Sequence, residues 1–425
     1  MRMSALCTAV VTYVVIGLPL PAVAQVDQQR AQEYFKDVQA VCEREGLRLW
    51  GMSLCGPMVI ADLRTQTIAT SQPAPAGPRP RVLGIVNAPI EWGGATWAAY
   101  VWHTLVSAPP RARKEILLHE LFHGVVQGTL GLTAQGQGLL PEHLDAMDGR
   151  YWLRLEWRAL ARALRESGAQ RSAAVRDALT FRQARHMLAA AAGDKERAIE
   201  ITEGLAAYTG TAAAAASADD AVASALELLI SGEAGESFVR TFAYVSGPAY
   251  GVLLDASSPG WRQRIRNTGD YAALLASALT VQPATDAAAS AARYGGAGIR
   301  AAEQQREQQR HERLADLRRQ FVDGPVFLLR GGGNGMSNSM GAVVIPDIGT
   351  VFFGPYRHNA DSGTLEAEKG VLLESNGSVR RVPMPVRLKD DATVAGEGWT
   401  FTAKPGWVIR EGSRRGDYEV VRQQP

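Results

Sequence analysis

The apolar pattern of this chain changes period, and that change limits what it can fold into. From about Pro109 to Leu279 apolar residues recur at helical spacing, three and four positions apart. From Phe321 onward the apolar runs are short: "VFLLR", "AVVI", "TVFF", "VLLES", "WTFTA", "WVIR" and "YEVV", set between glycine, asparagine and aspartate turns. A long helical stretch followed by a run of strands predicts an α+β chain in separate units, the second a β-rich sandwich or barrel. A length of 425 residues agrees with two or three folding units. Between the two patterns, "DAAASAARYGGAGIRAAEQQREQQRHERLADLRRQ" is alanine-rich and charged, and reads as a loop followed by a solvated spacer helix.

Before Pro109 the signals are mixed. "QQRAQEYFKDVQAVCERE" reads as an opening helix, followed by the short apolar runs "RLWGMSLCG", "PMVIADL" and "TIATS", the proline-rich loop "QPAPAGPRPR", and then "VLGIV" and "ATWAAYVW". The first residues read as an address: Arg2 gives a positive start, "ALCTAVVTYVVIGLPLP" is an apolar stretch shorter than a comfortable span, and Ala22 and Ala24 fit a cleavage site. The expectation is a secreted or periplasmic protein with a removed signal peptide and no stable membrane span after cleavage. Cys7 leaves with that segment, and Cys42 and Cys55 are either one disulfide or two buried thiols. A net charge of +2 gives no reason to expect nucleic acid as a partner. Oligomeric state has no signal in the sequence.

The chemistry gathers in "ILLHELFHGVVQ". Pro109 and Pro110 suit the first turn of a helix, and Leu118, Leu121, Phe122 and Val125 form one apolar stripe along it. His119 and His123 stand one helical turn apart on the edge of that stripe, the spacing at which two imidazoles can hold one metal ion, with Glu120 beside the first. Two satisfied core histidines are the plainer alternative. A catalytic zinc takes three protein ligands and leaves a fourth position for water. After His123 no histidine appears until His143, which points to a carboxylate as the third ligand. Two glutamates qualify: Glu203 in "RAIEITEGLAAYTG", where Gly204 would let its helix approach the histidine helix, and Glu156 in "RYWLRLEWRALARAL", between the bulky Leu155 and Trp157.

"HELFH" followed by "TEGLAAY" resembles the gluzincin group of zinc metallopeptidases, over roughly Trp92 to Leu254. The resemblance implies a zincin-like, mainly helical catalytic domain with a small N-terminal sheet. It implies Zn2+ held by His119, His123 and Glu203, and Glu120 as the general base acting on water. "FAYVSGPAYGVLLD" is similar to the tyrosine–glycine segment of aminopeptidase-like members, which implies that the Tyr244 hydroxyl stabilises the oxyanion; Tyr208 and Tyr250 stand behind it. The glutamate–asparagine segment of those exopeptidases is absent, so an endopeptidase is favoured over an exopeptidase. The expected domains are a signal peptide (1–24), a metallopeptidase domain (25–298), a charged spacer helix (299–320) and a β-rich domain (321–425).

The expected function is thus an exported zinc-dependent peptidase acting on a peptide or protein substrate. The alternative is a non-catalytic envelope binding or scaffold protein that retains a zinc site, which would have no use for the base Glu120. "ATWAAYVW" is either the edge strand along which a peptide lies extended or a core strand. "RGGGNG" reads as a flexible turn, and "PEHLDAMDGRYW", with His143, Asp145 and Asp148, as a loop and helix cap rather than a second metal site. His103, His186, His311 and His358 read as single histidines in ordinary settings. If the amino-terminal reading holds, protein recovered from the envelope or medium begins at Gln25 by intact mass; a species retaining Met1 would make it an anchored protein.

Overall fold

The structure is a computed structural model that describes residues 25–62, 65–80, 83–84, 87–132, 140–337, 341–384, 387–390 and 392–423. The signal-peptide expectation lies outside the described residues. The fold is α+β: a mainly helical first unit with a small sheet, and a β-rich second unit, divided between Ala301 and Ala302.

The first unit opens on α1 (Gln28–Trp50). The Asp27 side chain accepts the Arg30 N–H at its start, and Gly51, at φ 71°, ends it by donating to the Leu47 carbonyl. A disulfide joins Cys42 on this helix to Cys55, with Cα atoms 5.1 Å apart. The strands β1 (Met58–Asp62), β2 (Thr67–Thr70), β3 (Ala88–Trp92) and β4 (Ala95–Val101) follow, in the order β2-β1-β4-β3, with β1 and β4 parallel. Both faces of this sheet are covered. Met58, Ile60, Ala98 and Tyr100 join the main helical core, while Val59, Ala61, Trp97 and Ala99 close a smaller cluster with Ile90 and Trp92. "ATWAAYV" is therefore an interior core strand, which corrects its expected alternative as an edge. The edge beside it is β3. Ala98 donates its N–H to Pro57, so its antiparallel partner Pro89 faces the free side, where a missing N–H breaks no ladder bond.

The helices then run α2 (Trp102–Ser107), α3 (Pro110–Leu121), α4 (Met147–Arg165), α5 (Gly168–His186), α6 (Ala192–Ile199), α7 (Leu205–Ala214), α8 (Ala218–Gly232), α9 (Phe242–Ser257), α10 (Trp261–Thr268), α11 (Tyr271–Leu279), α12 (Ala287–Ala291) and α13 (Gly296–Arg318). Their apolar faces close one core in which Leu118, Phe122, Trp157, Tyr208, Tyr250 and Trp261 are fully buried. The charged α13 is largely exposed up to its last turns, where Leu317 and Phe321 pack against Ile345, Val351 and Leu372. Phe321 thus lies in a helical turn and the first strand starts at Val326. Among the described residues no helix is long and apolar enough to cross a membrane.

In the second unit the strands are β5 (Val326–Arg330), β6 (Gly333–Ser337), β7 (Gly341–Ile345), β8 (Gly349–Phe353), β9 (Tyr356–Ala360), β10 (Gly363–Ala367), β11 (Val371–Glu374), β12 (Val379–Pro383), β13 (Arg387–Asp390), β14 (Thr393–Gly396), β15 (Trp399–Ala403), β16 (Trp407–Glu411) and β17 (Tyr418–Arg422). They form two sheets, β13-β14-β15-β10-β9-β6 and β16-β17-β5-β12-β11-β8-β7; among the described residues neither order closes on itself. Phe327, Leu329, Val371 and Val382 of one sheet share a core with Tyr356, Leu365, Trp399 and Phe401 of the other. This is the arrangement of a sandwich rather than a barrel.

"RGGGNG" is corrected as well. Its second half is β6, which pairs antiparallel with β9 so that Gly335 stands opposite His358. Here glycine is required: a Cβ at Gly333 would lie 2.3 Å from the Asn359 carbonyl oxygen and 2.9 Å from the His358 ring. His358 is not in an ordinary setting either. Its ring is fully buried, and neither nitrogen has a hydrogen-bond partner among the described residues. Burial, with the Arg380 charge adding, pushes its pKa down from 6.5 to about 4.

That shift sets a pH dependence. The unfolded chain takes up the His358 proton near 6.5, but the folded chain resists it to about 4, so its contribution to stability is full above 6.5. The contribution is lost as pH falls through that window, about 3 kcal/mol in all. Hydrogen exchange of the β9 and β10 amides in the full chain should therefore accelerate between pH 6.5 and 4, after correction for intrinsic rates. His358→Phe should flatten that dependence.

Candidate metal centre

The helix α3 does not run uniformly through its histidines. Pro110 starts it, and the Tyr100 hydroxyl of β4 donates to the Leu117 carbonyl, 2.8 Å away, which ties the sheet to the turn before His119. At Phe122 the ladder widens to a π turn, Phe122–Gln127. The burial expected at Val125 moves accordingly: Val126 is fully buried and Val125 only partly. His119 therefore stands on α-helical backbone and His123 on the π turn, with their Nε2 atoms 3.0 Å apart.

Glu203 also sits on a π turn, Glu200–Gly204, between α6 and α7. Its Oε2 lies 3.4 Å from His119 Nε2 and 3.3 Å from His123 Nε2. Among the described residues His119, His123 and Glu203 form a group whose ligand atoms could hold one metal ion. The expected role of Gly204 is corrected. A Cβ at Gly204 would meet α9, at 3.5 Å from the Ala243 carbonyl oxygen, not the histidine helix. Approach to that helix is made at Gly210, where a Cβ would lie 2.5 Å from the Glu115 carbonyl oxygen. The tight contact with α9 is made at Gly247, where a Cβ would lie 2.4 Å from the Gly204 carbonyl oxygen. Pro248 follows inside α9 and has no N–H to offer the Tyr244 carbonyl, one turn back. This contact brings the Tyr244 hydroxyl to Glu203 Oε2, to which it donates at 2.5 Å, while its ring stacks on His119.

The electrostatics follow from burial and these contacts. Burial works to raise the Glu203 pKa, but bonds from His119, His123 and Tyr244 outweigh it and hold the carboxyl well below its usual range. Burial pushes His119 down against the pull of Glu203. It acts the same way on His123, where Glu203, Gln127 and Glu120 win and the pKa rises. Glu120, buried with its Oε1 4.0 Å from His119 Nε2, is pushed up to about 7, by burial first and by the Glu203 charge after it. Burial and then the Glu203 carboxylate push the Tyr244 hydroxyl up, so it remains a donor.

The donor set fits zinc. A tetrahedral ion with ligands at about 2.0–2.1 Å sets those ligands about 3.3–3.4 Å apart, close to the separations found here. The Gln127 side-chain oxygen lies 2.7 Å from His123 Nδ1 and accepts its proton, which leaves Nε2 free as a ligand. The Gln127 amide donates in turn to the Thr202 carbonyl at 3.1 Å, joining the His123 turn to the Glu203 turn. Gln127 was not singled out in the sequence, although its i+4 spacing from His123 places it on the same helix face. A cleft of about 560 Å³, lined among others by Ile116, His119, Glu120, Leu228 and Tyr244, opens beside the group.

The other candidates lie elsewhere. Glu156 is fully buried, bonded to Arg185 and, at 2.6 Å, to the Tyr250 hydroxyl. Arg185 also holds Glu196, and Arg182 holds Glu200 through two 2.6 Å bonds. His143 and His186 both bond Glu196, at 2.7 and 3.0 Å, so His186 belongs to this network. The signal for it was the i, i+4 pair Glu196 and Glu200 leading into Glu203. Tyr208 donates to Asp255, away from the histidines. Asp145 accepts the Phe238 N–H and the Ser237 hydroxyl rather than capping α4, and Asp148 pairs with Arg300. His103 is exposed, and His311 pairs with Glu307.

No protein-family model, curated protein or solved structure matches this chain.

The close contact makes a sharp prediction. Gly247→Ala should cost about 1–3 kcal/mol by overpacking and should weaken metal binding, because α9 is pushed off the Glu203 turn. Gly204→Ala, whose Cβ finds ordinary contact distances, should change both little. Thermal melts and metal titrations of the two variants side by side check it.

Proposed function

We propose that this chain is an exported zinc-dependent peptidase of the gluzincin kind, an endopeptidase rather than an exopeptidase, with a zincin-like first unit. The observation that carries the reading is the convergence of His119, His123 and Glu203 within metal-ligand range, with a buried carboxyl at Glu120 held near neutral pKa beside them. Two satisfied core histidines could use Glu203 as their acceptor but would have no need of a second buried carboxyl at Glu120. The Cys42–Cys55 disulfide suits an oxidising compartment and supports the reading as an exported protein.

His119, His123 and Glu203 would hold the ion. A zinc ion bound there would polarise a scissile carbonyl and lower the pKa of water at the site. Glu120, with a pKa of about 7, would take a proton from the attacking water and pass it to the leaving amine. Tyr244 keeps its proton and lies at the mouth of the site. Its hydroxyl, released from Glu203, would donate to the developing oxyanion. The free edge of β3 runs beside the His123 turn and offers the Glu91 backbone to an extended peptide.

The test is zinc content and generic peptide cleavage on the purified mature protein, with and without chelator. Glu120→Gln should keep about one zinc per chain and lose roughly 10²–10⁴-fold in hydrolysis. Tyr244→Phe should keep the metal and lose roughly 10²–10³-fold in kcat. His119→Ala, His123→Ala and Glu203→Ala should come off a column nearly metal-free. Glu156→Ala should keep the metal but lose about 1–3 kcal/mol of stability, since it leaves the buried Tyr250 hydroxyl without its acceptor and Arg185 with Glu196 alone. Cleavage by Glu120→Gln at the parent rate sinks the catalytic reading. A metal-loaded parent that cleaves nothing favours the binding protein.

A further inference from the structure

The cleft beside the metal group is not lined by apolar side chains alone. Glu115, one helical turn before His119, lines it together with Val101, Ile116 and Leu228. Its side chain is mostly buried, 18% exposed. Both of its hydrogen bonds fall on one oxygen: Oε1 accepts from the Ser224 hydroxyl at 2.8 Å and from Arg111 Nε at 3.1 Å. Among the described residues nothing donates to Oε2. Arg111 does not neutralise it fully, because its Nη1 is shared with Asp220 at 2.8 Å. The cleft thus joins an aliphatic wall to a carboxylate with one oxygen unsatisfied and surplus negative charge.

We propose that this cleft is the subsite for a basic side chain of the substrate, lysine or arginine, and that Glu115 selects it. The aliphatic stem lies along Val101, Ile116 and Leu228, and the cationic head meets Glu115 Oε2. The inference rests on the peptidase reading above. Other side chains are disfavoured for stated reasons. An apolar side chain would bury Oε2 without a donor, and an acidic one would meet the carboxylates of Glu115 and Glu120.

Matched peptides that differ only in lysine or norleucine, which keeps the stem and lacks the ammonium, test the idea on the zinc-loaded full chain. At one position flanking the scissile bond the lysine peptide should have kcat/KM about tenfold or more above the norleucine peptide. Glu115→Gln still accepts from Ser224, and it should bring that ratio close to one. Ser224→Ala removes the same structural contact but keeps the carboxylate, and it should leave the preference for lysine in place. A ratio that survives Glu115→Gln, or a parent that cleaves both peptides equally, overturns the proposal. Binding separates this failure from failure of the peptidase reading. Calorimetry with the Glu120→Gln chain should show the lysine peptide bound tighter than the norleucine peptide, and Glu115→Gln in that background should abolish the difference. Selective binding without turnover by the parent would keep the subsite and remove the hydrolysis; binding without selectivity would remove the subsite.

Discussion

The first unit is organised by two places where backbone touches backbone. At Gly210 the segment after Glu203 lies against the Glu115 carbonyl of the histidine helix, and at Gly247 the Tyr244 helix lies against Gly204. Two helices with ordinary side chains at their crossing stand about 8–10 Å apart. Glycine at each crossing shortens that distance. His119 and His123 on one helical segment, Glu203 on a second and Tyr244 on a third meet within a few ångströms.

Close approach alone would leave Glu203 free to turn away, and the buried ionic network limits this. Arg182 holds Glu200 through two bonds at the first residue of the π turn that ends next to Glu203, and Gln127 ties the facing turn to the Thr202 carbonyl. Glu156, Glu196 and Glu200 sit with Arg182 and Arg185 out of water. Such a cluster is costly to desolvate, and apolar packing could replace its stability. Apolar packing would not aim a carboxylate. Within the network Glu200 shows the cost most plainly: burial raises its pKa even against Arg182.

The same environment separates the two carboxyls of the site. Glu203 lies against the His119 and His123 rings, accepts from the Tyr244 hydroxyl, and is held well below the usual carboxylate range. Glu120, one residue after His119, faces burial and the Glu203 charge with no comparable donors, and is held close to neutral pKa. A pair of acids pushed apart in this way is the electrostatic pattern that the proposed division between ion holding and proton transfer would use.

Local periodicity made much of this legible in the sequence. His119 and His123 at i, i+4 on an apolar stripe, Glu203 beside a glycine, and the helical and β-rich halves all depend on contacts within a few residues. What escaped it depended on neighbours far along the chain. β4 reads as either core or edge until β3 pairs on its outer side, and β6 reads as a glycine turn until β9 lies beside it. Glu203 is preferred over Glu156 in the sequence by its glycine neighbour and the gluzincin resemblance, but the partners of each, Arg185 for one and the histidines for the other, come only with the packing. The π turns under His123 and Glu203 have the same origin. A wider turn is unfavourable in an isolated helix and persists where tertiary contacts hold it. The sequence by itself determined which residues could do chemistry and on which elements they stand, because side-chain type and helical spacing are local. Only the tertiary structure decided which of them meet, because the distance between helices is set by the side chains missing at Gly210 and Gly247.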